Sequence, residues 1–169
     1  PWVKIDKSEF YRGSLDLGEN DLSEKDGNSY TIEAYEIATY PLTNAEYSKF
    51  VLKKDHRPPS DWREKHYPHG QGNLPVTRVS WHDAQAYVNW LNEQNDGYRY
   101  FLPSEAQRER AARGPVQWED KENRRVYPWG DSYNKEKDQD KANVDETGLG
   151  RTTAVGCFPA GASPEGVLD

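Results

Sequence analysis

Apolar and polar positions alternate, cluster and break along the chain in ways that place a small set of elements. Trp2 to Ser14 alternates weakly and ends in Arg12-Gly13-Ser14, which predicts a strand leaving through a turn. Leu15 to Ser29 is acidic and broken by Gly18, Asn20, Asp26, Gly27 and Asn28, the composition of an exposed loop. Tyr30 to Tyr40 is dense in β-formers (Tyr30, Thr31, Ile32, Tyr35, Ile37) and predicts a second strand, stopped by Pro41. Thr43-Asn44-Ala45-Glu46 has the spacing at which a Thr hydroxyl and a Glu carboxylate satisfy each other's orphan amides, so a helix should run from about Asn44 to Lys53. Arg57-Pro58-Pro59 ends that stretch, and a polar loop follows.

Ser80-Trp81-His82-Asp83 opens the clearest helix, because Trp81, Ala84, Val88 and Leu91 recur three and four residues apart. The spacing predicts that Trp81, Val88 and Leu91 share one buried face. Ser104-Glu105-Ala106-Gln107 repeats the start signal, and that helix should close at Gly114, where glycine suits a positive-φ cap. Regularity fades in the charged stretch Trp118 to Asp140, although Tyr127-Pro128-Trp129-Gly130-Asp131 within it favours ordered loops. Few short strands, two to three helices and long loops point to an α+β class rather than an alternating βαβ one.

Composition sharpens this reading. The 169 residues fit a single domain, 1–169. With 34% hydrophobic and 30% charged residues the chain would suit disorder, but 12% aromatic residues supply large buried anchors instead. Net charge is −7 with the signs interspersed, so no basic stripe is expected to neutralise a phosphate backbone, and nucleic acid is not an expected partner. The apolar runs fall far short of the roughly 20 residues that cross a bilayer, and no signal-peptide pattern opens the chain; a soluble protein is expected, with no membrane partner. There is no Met, even at position 1, which leads us to expect a fragment.

Candidate chemistry is sparse. Cys157 is the sole cysteine, which excludes an intrachain disulfide and a multi-cysteine zinc site; beside Phe158-Pro159 it reads as a small packed hydrophobe. His66 and His69 have a spacing that could share a metal, yet the loop Lys65-His66-Tyr67-Pro68-His69 reads as solvated, and His82 should be exposed in a first helical turn. Asp83 and Glu105 could be read as an acid/base pair, but both fall in first turns, where a carboxylate complements the helix dipole. No serine-histidine-aspartate order or phosphate-cradling glycine loop is present.

Five blocks in fixed order carry more information together. They are Tyr40-Pro41-Leu42-Thr43-Asn44-Ala45-Glu46-Tyr47; Leu74-Pro75-Val76-Thr77-Arg78-Val79-Ser80-Trp81 with Asp83, Ala84, Tyr87 and Trp90-Leu91; Arg99 with Leu102-Pro103-Ser104-Glu105-Ala106 and Ala111-Ala112-Arg113-Gly114; Tyr127-Pro128-Trp129-Gly130-Asp131 with Ala142-Asn143-Val144; and Thr152 to Gly161. The series, with the final Pro164 to Asp169, resembles the formylglycine-generating-enzyme (sulfatase-modifying-factor) family. That resemblance implies a C-type-lectin-like α+β fold with few short strands and long ordered loops. It implies a structural Ca²⁺ in the loop of the Ala-Asn-Val element, with the Asn143 side chain and Val144 carbonyl as ligands and Asp145 or Glu146 as charged partners; Thr147 stands near the place of a further family aspartate.

Departures matter equally. The family has Trp and Tyr where this chain has Arg108 and Arg110, which predicts a solvated or partner-facing helix side. The family's two copper-binding cysteines belong to a segment beyond the Gly166-Val167-Leu168-Asp169 block, so the domain is expected to be truncated on its C-terminal side. Soft Cu(I) is held by thiolate pairs, and Cys157 lies outside that motif. Two functions follow from the resemblance: a parent oxidase that converts a substrate cysteine to formylglycine using copper, seen here without its catalytic cysteines, or a non-catalytic binding or sensor domain, as in retroelement-diversified variable proteins and signalling proteins, with a protein or peptide ligand.

Overall fold

The computed structural model describes residues 1–13, 29–115, 125–130 and 132–168. Of the loop expected at Leu15 to Ser29, Leu15 to Asn28 lie outside the described residues, as do Trp118 to Arg124 and Asp131, while Ser29 is in a strand rather than the loop. The chain forms two compact units: Pro1–Tyr40, Pro103–Gly148 and Phe158–Asp169 make the first, Pro41–Leu102 and Leu149–Cys157 the second.

In the first unit the two expected strands are each broken in the middle. Strands β1 (Trp2–Ile5) and β2 (Ser8–Tyr11) run antiparallel to β4 (Tyr35–Ala38) and β3 (Ser29–Ile32), with one register carried through both pairs, from Trp2 opposite Ala38 to Tyr11 opposite Ser29. The break falls at Asp6-Lys7 and Glu33-Ala34, where Lys7 Nζ lies 2.6 Å from Glu33 Oε1 and Lys4 pairs with Asp6. Three of the four residues at the break are charged and the fourth, Ala34, is small and exposed, whereas Ile5, Phe10, Tyr11 and Ile32 on either side are buried.

Helix α3 (Glu105–Arg113) begins with a reciprocal cap between Ser104 and Gln107 and ends at Gly114, whose φ of 80° a side chain would strain. It packs on β3, buries Ala111, and accepts the Tyr35 hydroxyl at its Gln107 carbonyl, 2.5 Å away.

The second unit is built on helix α1 (Asn44–Lys54) and helix α2 (Trp81–Asn92). Both carry the expected capping boxes, Thr43 with Glu46 and Ser80 with Asp83. From α1, Tyr47, Phe50 and Val51 fall on one stripe and are almost wholly buried with Trp62. Burying each such side chain contributes roughly 1.5–3 kcal/mol. The face of α2 that meets them is not the one expected. Ala86, Tyr87 and Trp90 pack on this cluster, while Trp81 is 64% exposed; Val88 is buried and Leu91 half-buried. Large rings decide the orientation. Tyr87 sits edge-on to Phe50 at 5.6 Å, and Trp90 lies 5.7 Å from the same ring, which outweighs the aliphatic stripe.

Candidate functional site

The loop expected to hold a metal is closed by its own hydrogen bonds. Asp145–Thr147 forms a single 3₁₀ turn entered through extended Val144, whose carbonyl accepts from the Thr147 amide at 3.0 Å and the Thr147 hydroxyl at 2.7 Å. Glu146 pairs with Lys135 at 2.9 Å, which holds its carboxyl below the ordinary range. Asn143 and Asp145 are exposed. All four groups offer oxygen, the donor a hard cation takes. In donor type they therefore fit calcium, although the Val144 carbonyl and the Glu146 carboxylate already have partners within the protein. Upstream, Asn134 Oδ1 accepts from the amides of Glu136 and Lys137, and Asp138 accepts from the Asn134 amide at 2.6 Å while pairing with Lys141. The Asn134 amide, then Lys141, hold the Asp138 carboxyl low.

Beside this loop stands an aromatic group. Tyr127 and Trp129 stack at 5.2 Å with Tyr133 against both, and Lys141 lies 6.0 Å above Trp129. Tyr127 and Gly130 exchange backbone hydrogen bonds, so the Tyr127-Pro128-Trp129-Gly130 motif is a tight turn, with the Tyr127 and Trp129 rings half-buried.

Cys157 is exposed, not packed as expected, because the chain leaves the second unit there in a turn. The residues present do not fit a two-thiolate copper site. Among the described residues no group of three or more His, Cys, Asp or Glu side chains converges as a metal site. His66, His69 and His82 are exposed.

Two arrangements escaped the sequence reading. His56 Nε2 lies 2.8 Å from Asp83 Oδ1, linking the C-terminal end of α1 to the first turn of α2, and the imidazole rests 4.7 Å from the Phe50 ring. The other Asp83 oxygen accepts from the Ser80 hydroxyl at 2.6 Å and amide at 2.8 Å; these bonds and His56 bring the Asp83 pKa down to about 2. Burial pushes Tyr47 and Tyr87 nearby up to about 12. Nothing local connects residues 27 apart, so His56 gave no signal.

Arg110 is the second. Expected on a solvated face, it is 3% exposed, donating to Ser8 Oγ at 2.8 Å and to Glu165 at 2.6 Å, whereas Arg108 is solvated as expected. Burying a guanidinium requires a compensating carboxylate, which Glu165 supplies. Arg113 likewise donates to the Gly13 and Arg125 carbonyls and pairs with Glu109.

The model of the sulfatase-modifying factor enzyme 1-like domain family matches residues 5–169. Among curated relatives, the inactive Cα-formylglycine-generating enzyme 2 of Bos taurus is 23% identical over 201 residues, covering 87% of this chain and 62% of that protein. The formylglycine-generating enzyme of Mus musculus is 32% identical over 114 residues, covering 59% of this chain but only 27% of its own length. PvdO from Pseudomonas aeruginosa, a solved structure, shares the fold with a TM-score of 0.74 at 23% identity, over 99% of this chain and 66% of that one. The chain thus spans less than two thirds of the relatives it matches. With a family match along nearly its whole length and an α+β architecture of the same type, the chain belongs to the sulfatase-modifying factor enzyme 1-like, or formylglycine-generating-enzyme, family.

Proposed function

We propose that residues 1–169 are the scaffold part of a formylglycine-generating-enzyme-like domain and do not themselves oxidise a cysteine substrate. A single observation carries this reading: the stretch contains one thiol, Cys157, and that thiol is exposed. The copper chemistry expected of the family, when the metal is bound, rests on a pair of thiolates. What these residues supply is support. Arg110, Ser8 and Glu165 lock α3 and the 163–167 turn to the ribbon of the first unit, and the ring cluster around Tyr47 fixes the second. A protein or peptide ligand suits both an oxidase parent and a binding domain. Competition for Cu(I) against a chromogenic chelator tests the reading: the chain and its Cys157→Ser variant should both lose the metal to the chelator. Retention of one equivalent by the native chain alone contradicts it.

The oxygen-only set Asn143, Val144, Asp145 and Glu146 supports a structural Ca²⁺ as a secondary part of the reading. Glu146 then exchanges Lys135 for the ion. A ligand that binds only the folded state raises its melting temperature, so millimolar Ca²⁺ should lift the transition above that in EDTA, and Asp145→Asn should cancel the difference. Superimposable melts remove the site.

A further inference from the structure

Charge is less evenly spread than the interspersed signs suggest. Residues 49–69 hold six cations (Lys49, Lys53, Lys54, Arg57, Arg63, Lys65) against three carboxylates, a net +3 within a chain of net −7. They occupy the end of α1 and the loop after it, all in the second unit. A groove of about 340 Å³ opens in this stretch, lined by Leu52, Pro58, Glu64, Lys65 and His66. Leu52 is 55% exposed, although its neighbour Val51 is wholly buried. The wall is pre-formed: Arg63 and His66 exchange backbone hydrogen bonds at 3.1 and 3.0 Å, and Trp62 anchors that turn in the core.

Lys54 pairs with Glu93 and Lys65 with Asp55, but Lys49, Lys53, Arg57 and Arg63 make no ion pair with a described residue. We propose that this groove docks an acidic peptide segment bearing an apolar anchor side chain. Leu52 and Pro58 offer the anchor an apolar floor; Lys53, Arg57 and Arg63, next in sequence to the lining residues Leu52, Pro58 and Glu64, outnumber the Glu64 carboxylate and supply a complementary rim, the arrangement that steers and orients a charged partner. A polynucleotide would meet the cations and leave the apolar floor uncovered.

The probe is a fluorescein-labelled twelve-residue peptide of Asp and Glu with two Leu, and beside it the same peptide with Lys in place of every acid. Fluorescence anisotropy should show saturable binding of the acidic peptide alone, weakened several-fold when salt rises from about 0.05 to about 0.5 M. The double variant Lys53→Glu/Arg57→Glu should bind about tenfold more weakly, through loss of rim complementarity. Leu52→Ser should lose a similar factor through loss of the anchor floor, while Lys7→Glu on the first unit should bind as the native chain does. Circular dichroism checks that each variant is folded; should the double variant fail, Arg63→Gln replaces it. Equal binding of the basic peptide, no saturable binding, or indifference to both groove variants overturns the proposal. So does displacement by single-stranded DNA at matched charge, or self-association of the chain through the same residues in sedimentation.

Discussion

Replacing Asp83 by Asn removes one charge while keeping an oxygen for the Ser80 amide and hydroxyl, so it isolates what the ionised carboxylate contributes. Its pKa near 2, against an ordinary 3.8, sets a ceiling of about 2.5 kcal/mol, at about 1.4 kcal/mol per unit. The side chain keeps 18% of its surface in water, and screening reduces the expected loss to about 1–1.5 kcal/mol at neutral pH. The sign follows from linkage. A carboxyl whose folded-state pKa is depressed stabilises the fold above its unfolded value near 4, and that stability drains away as pH falls through the folded value near 2. Roughly half should remain at pH 3. Urea unfolding followed by tryptophan fluorescence, on native chain and Asp83→Asn at pH 6 and pH 3, gives both gaps. A gap of the same size at both values, or none at pH 6, refutes the assignment of the shift to the Ser80 cap and the His56 contact.

Other expectations follow from burial. Phe50→Ala should cost about 3–5 kcal/mol in the same assay, whereas Trp81→Ala should stay within about 0.5 kcal/mol, because only the former empties a packed site. Arg110→Ala should lose about 3–5 kcal/mol by stranding Glu165, and Arg110→Met combined with Glu165→Gln should recover much of that loss; a double-mutant cycle reads the coupling. Tyr47 is 1% exposed and its hydroxyl has no partner among the described residues, so Tyr47→Phe should leave stability unchanged or raise it by up to about 1–3 kcal/mol in thermal melts.

Much of the fold was legible in the sequence because its signals are local. Thr43 with Glu46, Ser80 with Asp83 and Ser104 with Gln107 each set a helix start through contacts three residues apart, and all three starts stand where the pattern put them. The two strands were legible in outline, but their antiparallel pairing was not, and the break at Asp6-Lys7 depends on Glu33 and Ala34 across the ribbon, which no single strand reveals. The α2 face was misread because the spacing of Trp81, Val88 and Leu91 competes with that of Ala86, Tyr87 and Trp90, and only the rings of α1 decide between them. Arg110 was misread for a related reason. A cation on a surface-looking helix turns inward only if a carboxylate waits there, and Glu165 lies 55 residues away.

The scaffold reading stands or falls on turnover. Residues 1–169, incubated with copper, oxygen and a Cys-x-Pro-x-Arg peptide, can be followed by mass spectrometry for the change from thiol to aldehyde, with Cys157→Ser as the control. The one-thiol composition predicts an unchanged peptide in both samples. Aldehyde that forms with the native chain and vanishes with Cys157→Ser would contradict it and make the exposed Cys157 a catalytic thiol.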